Sequence, residues 1–162
     1  FRCEPGAVRV RHLLDVLWED FGPDAVRARV SRPLTGLRVA AYYGCLDVRD
    51  GGTRETRTAG FETRLEQLLE ALGADVVDLP LRSHCCGGRS SEASVEVATS
   101  LVGRILRSAA ERRADVIAVA CPRCRHNLRC PVGTTPASVA MPSGVRVRYF
   151  TELMAEAFGL AP

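Results

Sequence analysis

Five cysteines fall at three points of the chain: Cys45 alone, the adjacent pair Cys85-Cys86, and Cys121-Pro-Arg-Cys124. Thiolates bind soft metals and iron–sulfur clusters, and they are the nucleophiles of thiol–disulfide exchange. A single zinc ion takes four ligands in a tetrahedron, so five thiols leave one spare. An ordinary iron–sulfur cube also takes four cysteines. A fifth thiolate suits a larger or more open cluster in which one sulfur bridges two irons. Neighbouring side chains diverge on a strand, so Cys85 and Cys86 reach one centre only from a loop. Gly87-Gly88 supplies that loop, with backbone freedom for close approach to a bulky inorganic group. Rival readings stay open at this point. Cys121-Pro-Arg-Cys124 alone has the spacing of a thioredoxin-like redox pair or of half a zinc site. A zinc-stabilised structural or interaction domain is the alternative for the whole set. A vicinal Cys85–Cys86 disulfide strains the intervening peptide. Cys3 and Cys130 read as structural or incidental thiols outside the set.

The polar residues around the cysteines have bland readings and sharper ones. His84 and His126 are donors around the site or surface groups, since five thiols leave no place for imidazole. Arg123, Arg125 and Arg129 form a solvated helix face, or a docking patch for an anionic substrate or partner; guanidinium is the preferred binder of carboxylate and phosphate. His84 joins Arg123 and Arg125 as a candidate docking group. Tyr42-Tyr43-Gly44 reads as strand core and turn, and His12 as solvent-facing.

Composition narrows the function classes. Seven cysteines, an odd number, with no charged, apolar and small-residue leader in view, argue against a disulfide framework and for a reducing setting. A net charge of +3 is too mild to indicate nucleic acid. All 22 basic residues are Arg, which excludes Schiff-base lysine and Walker-type phosphate binding. No apolar run approaches the roughly 20 residues that span a bilayer. The first residue is Phe1 rather than Met, the mark of a fragment, a processed product or an incomplete reading.

The elements that must carry the cysteines follow from periodicity. Val8 to Phe21 reads as an amphipathic helix on Val10, Leu13, Leu14, Leu17 and Phe21, and Pro23 opens a second helix through Val30. Leu37–Tyr43 is a buried strand, and Asp47–Gly60 a loop. Phe61, Leu65, Leu68, Leu69 and Leu72 mark a helix stopped by Gly73. Ala74–Leu79 is a short strand. Ser91–Arg113 is a long helix with Val97, Leu101, Ile105 and Ala109 on one side. Ala114–Ala120 is the most apolar strand, and a short helix starts at Pro122. After a loop over Gly133–Gly144 come a fourth strand, Val145–Phe150, and a last helix capped by Thr151 and ending near Phe158. The class is therefore α/β: a four-stranded, mainly parallel sheet with flanking helices, over 36–162, after a helical lead-in and linker over 1–35. Cys45, Cys85, Cys86 and Cys121 each follow a strand, and Cys124 lies one helical turn on. Parallel strands end on one edge, where ligands of open α/β sheets bind.

The chain resembles the second cysteine-rich domain, the CCG domain, of the B-type subunit of heterodisulfide reductase. The resemblance rests on Val10-Arg-His-Leu-Leu-Asp-Val-Leu17, Arg32-Pro-Leu-Thr-Gly-Leu-Arg38, Tyr42-Tyr-Gly-Cys45, Cys85-Cys-Gly-Gly88, Ala120-Cys-Pro-Arg-Cys124 with Asn127-Leu128, and Phe150 with Thr151. It implies a Rossmann-like fold and a non-cubane [4Fe-4S] cluster on Cys45, Cys85, Cys86, Cys121 and Cys124, with Gly87 and Gly88 beside it. It implies a cytoplasmic oxidoreductase acting on a disulfide, with flavin-bearing and ferredoxin-like subunits as partners. Substrate is cleaved between two clusters, so a first CCG domain in cis or trans is a further partner, and the isolated chain is expected to be inactive. Related CCG proteins serve in succinate, lactate and glycolate oxidation, which makes an electron-transfer module of such a complex the alternative. The span from Cys86 to Cys121 is slightly shorter than the family's usual one, and the first CCG domain is absent from these residues.

Overall fold

The computed structural model describes residues 8, 10–45, 63–88, 94–129 and 144–160. The loops expected at Asp47–Gly60 and Gly133–Gly144 fall almost wholly outside these residues, as do Cys3, Phe61, Ser91 and Cys130. Four strands, β1 (Arg38–Tyr42), β2 (Asp75–Val77), β3 (Val116–Val119) and β4 (Arg146–Tyr149), form one sheet in the order β2-β1-β3-β4. Every pair is parallel. β3, Val-Ile-Ala-Val, is buried at each residue, as a strand covered on both faces must be.

The helices are α1 (Leu13–Val16), α2 (Gly22–Arg27), α3 (Arg64–Ala71), α4 (Val95–Glu111), α5 (Pro122–Arg129) and α6 (Phe150–Ala157), with a π-helical turn at Leu17–Phe21 between α1 and α2. The period-two alternation of the strands splits the core into two layers. Val39, Ala41, Val116 and Ala118 pack with Leu14, Val26, Leu65, Leu68, Leu69 and Leu153, under the lead-in, α3 and α6. Ala40, Tyr42, Ile117 and Val119 pack with Val102, Ile105, Leu106 and Leu128, under α4 and α5. The chain passes from β1 outward to β2, then back across β1 to β3, so its winding reverses between β1 and β3. In such sheets the crevice beyond that reversal is where ligands sit.

Four local expectations need correction. The lead-in helix starts at Leu13, because His12 caps it: the ring accepts the Leu14 N–H at 3.2 Å. Val8 and Val10 lie before it and are 75% and 91% exposed, while Phe21, expected on the inner stripe, is also exposed. The lead-in is held by charge as well as by Leu14; the buried guanidinium of Arg64 reaches Asp15 at 3.0 Å and Glu19 at 3.4 Å. The inner row of α4 is Ala98, Val102, Ile105, Leu106 and Ala109, with Val97 half exposed. There the Cys85–Gly88 loop leans on the helix, and a Cβ on Gly87 would stand 3.0 Å from the Cα of Ala98, so Ala98 turns inward. His12 is half-buried, not solvent-facing. Finally, α6 is capped at Tyr149 rather than Thr151, with the Tyr149 N–H donating to the Glu152 carboxylate at 2.7 Å.

Gly73 ends α3 as the sequence suggests. It has φ +83, and a Cβ there would stand 2.8 Å from the Cβ of Pro33. Gly73→Ala is expected to lower the free energy of unfolding by about 1–3 kcal/mol through backbone strain and overpacking. Urea denaturation measures this; an unchanged midpoint would show that Pro33 yields freely.

Candidate metal centre

The strand ends deliver the thiols to one edge. Cys45 sits in the turn after β1, the Cys85–Cys86 pair in the loop after β2, Cys121 directly after β3 and Cys124 in the first turn of α5. All five are free thiols. Cys86 and Cys124 are buried, Cys45 and Cys121 half-buried, and Cys85 exposed. The Sγ atoms of Cys86 and Cys124 lie 3.5 Å apart. Cys124 is also hydrogen-bonded to Cys121. Among the described residues no three Cys, His, Asp or Glu side chains stand close enough to share one metal ion. The thiols gather at one edge without closing on a single point.

The local electrostatics favour a thiolate. Cys86 is pulled down to about 6, first by its hydrogen bond with Cys124, then by the Gly88 backbone and the Asn127 side chain. Cys124 is pushed up by the same hydrogen bond with Cys86 and by burial. The hydrogen bond between the two sulfurs thus eases ionisation at Cys86 and opposes it at Cys124. Beneath the thiols lies the Tyr42 ring. Burial first, then Cys124, Cys86, Cys85 and Cys45, raise its hydroxyl pKa, so four of the five thiols bear on it.

Two glycines make a cradle for a bulky group. Gly44 has φ +58, and a Cβ there would stand 3.2 Å from the Cys124 Sγ and from the Tyr42 hydroxyl. A Cβ on Gly88 would stand 3.3 Å from the Cys86 Sγ and 3.0 Å from the Arg123 side chain. Gly87 supplies the positive φ, +76, of the same loop. Thiols from three strand ends, with backbone stripped of side chains beside them, fit an iron–sulfur group.

The other expected residues divide. The imidazole of His84 is exposed, and its carbonyl accepts the Tyr42 hydroxyl at 2.6 Å. Arg123 lies against Gly88, its Nη1 3.5 Å from the carbonyl. Arg125 pairs with Glu152 at 2.8 Å and lies 4.9 Å over the Tyr149 ring. His126 and Arg129 are exposed.

Two supporting residues escape a reading of the cysteines alone. Asn127 is buried and donates from Nδ2 to the Cys86 carbonyl, while its Oδ1 meets no donor among the described residues. A polar residue three positions after Cys124 on an otherwise inward helix face was the available signal. Tyr42 is the second, since its hydroxyl holds the loop that carries the cysteine pair. Tyr42→Phe leaves the His84 carbonyl without that donor and is expected to cost about 1–3 kcal/mol. Thermal unfolding of the metal-free chain checks it; an unchanged midpoint would mean water replaces the hydroxyl.

The cysteine-rich CCG domain family matches residues 39–129. The chain is 28% identical, over 159 residues, to the B-type subunit of a Ferredoxin/F(420)H(2)-dependent CoB-CoM heterodisulfide reductase of Methanosarcina acetivorans, covering 97% of this chain and 53% of that one. It is 24% identical, over the same shares, to the corresponding subunit of a Ferredoxin:CoB-CoM heterodisulfide reductase of Methanosarcina mazei. It is 30% identical, over 123 residues, to an 8-methylmenaquinol:fumarate reductase membrane anchor subunit of Wolinella succinogenes, covering 76% of this chain and 43% of that one. The chain therefore spans about half the length of these relatives. Among the described residues no helix is long and apolar enough to cross a membrane. With a match that runs from β1 through α5 and takes in Cys45, Cys85, Cys86, Cys121 and Cys124, the chain belongs to the CCG cysteine-rich domain family.

Proposed function

We propose that this chain holds a non-cubane [4Fe-4S] cluster on Cys45, Cys85, Cys86, Cys121 and Cys124 and relays electrons to a disulfide within a heterodisulfide-reductase-like complex. The observation that carries the reading is the convergence of three strand ends at the winding reversal, with Cys86 and Cys124 thiols 3.5 Å apart. When bound, the group supplies one-electron steps, two of which open a disulfide to two thiols. The chain's own part is to present charged sulfur, through Cys86, and to hold the Cys85–Cys86 loop, through Tyr42 and Asn127. Flavin-bearing and ferredoxin-like subunits are the proposed electron donors, and a second cysteine-rich half the other wall of the substrate cleft.

The relative named as a fumarate reductase subunit favours a second reading, in which the same centre passes electrons in a dicarboxylate-oxidising or -reducing complex. Isolation of the intact complex separates the two: a disulfide or a dicarboxylate will reoxidise the reduced centre. The prior question is the metal. Protein purified under strict anaerobiosis is expected to carry about four irons with acid-labile sulfide and to absorb broadly in the visible. Near one equivalent of zinc without sulfide would instead establish a structural zinc domain.

A further inference from the structure

The lead-in joins the site through one side chain. His12 lies far from the cysteines in sequence, yet its Nε2 stands 3.3 Å from the carbonyl oxygen of Ala120, the residue before Cys121. Its other ring nitrogen accepts the Leu14 N–H. A backbone N–H only donates, so Nδ1 is the bare nitrogen and Nε2 carries the hydrogen of the neutral ring. The Ala120 carbonyl only accepts, and the two bonds fix one tautomer.

We propose that His12 is a positioning residue for the metal centre: it binds the carbonyl at the carboxyl end of β3 and sets the backbone from which Cys121 projects. The inference rests on the iron–sulfur reading only for its spectroscopic consequence. Ala120, one residue past β3, is the last buried residue before the half-buried Cys121. Past it the backbone turns into α5, where the Arg125 N–H donates to the Cys121 carbonyl at 3.0 Å. The peptide between Ala120 and Cys121 is thus held on the lead-in side by His12, and the next carbonyl by α5. The lead-in is itself anchored by the Arg64 pairs to Asp15 and Glu19, so its grip on Ala120 is braced at a second point. Without the donor, the negative end of the Ala120 carbonyl dipole stands uncompensated beside a thiolate ligand, which disfavours an added electron.

The cap and the site contact are separable. Asn is among the best N-cap residues, so His12→Asn keeps an acceptor for the first turn of α1 while losing the reach to Ala120. His12→Ala loses both. The first measurement uses the metal-free, reduced chain: alkylation of each cysteine is followed by mass spectrometry. Cys121 is expected to react several-fold faster in His12→Asn than in the parent, with Cys85 unchanged and the thermal midpoint retained. The second uses the reconstituted chain: His12→Asn is expected to shift the electron paramagnetic resonance spectrum and move the reduction potential to a more negative value. Parent-like Cys121 reactivity together with a parent-like spectrum and potential in His12→Asn would overturn the proposal and leave His12 as a helix cap. If the parent chain takes up no iron, the iron–sulfur reading fails on its own, and the alkylation rates still decide whether His12 sets Cys121.

Discussion

Cys86→Ser protein, reconstituted anaerobically beside the parent, is expected to be colourless, with iron and acid-labile sulfide close to background. Serine replaces a soft sulfur, poised to ionise at about 6, by a hydroxyl that does not ionise at neutral pH. It also removes the sulfur 3.5 Å from Cys124, so the buried pair loses its sulfur–sulfur hydrogen bond. Outer-shell changes cost metal sites about 10–100-fold in affinity, and loss of a ligand costs more. Metal binding is coupled to folding, so the variant is expected to melt at or below the temperature of the stripped parent. Cys3→Ser and Cys130→Ser are expected to keep full iron. Normal iron and sulfide in Cys86→Ser would sink the five-ligand proposal, whatever the chain does in a complex.

Disulfide turnover by the reconstituted chain alone is expected to be negligible, at least ~100-fold below that of the chain combined with a second cysteine-rich half. The chain covers 53% of the heterodisulfide reductase subunits it matches, and the proposed cleft has two walls. Opening a disulfide takes two electrons. With one wall the substrate is neither oriented nor shielded, and orientation supplies up to about 7–11 kcal/mol of a barrier. Thiol release driven by a strong reductant, with and without the second half added as a separate polypeptide, reads this directly. Fast turnover by the single chain would show that one centre suffices.

The order of strands and helices, the parallel sheet and the placing of cysteines after strand ends were legible, because each rests on a local pattern. β3 is a run of apolar residues that only a doubly covered strand tolerates, and Cys121 follows it at once. What the patterns hid was long-range. Val10 sits at helical spacing from Leu13 and Leu14, yet the helix begins after it because a ring nitrogen of His12 takes the first free N–H. Nothing local says that the other nitrogen of that ring meets Ala120, which is 108 residues away. Val97 fits the apolar period of α4, but the cysteine loop leans on Ala98 and fixes the helix rotation one residue on. Arg125 reads as part of a solvated helix face or docking patch, and nothing local shows that α6 brings Glu152 to it. The winding reversal that brings the turn at Gly44 against Cys124 depends on strand order, which periodicity does not encode.

The 3.5 Å between Cys86 and Cys124 has a consequence for handling the protein in air. A covalent sulfur–sulfur bond is about 2 Å long, so a small inward movement of two neighbouring thiols closes it once an oxidant takes two electrons and two protons are released. Such a bridge would withdraw two buried donors at once and lock the cradle shut. On the proposed ligand set, exposure to dioxygen is therefore expected to leave a bridged chain that takes up no iron until a thiol reductant reopens it.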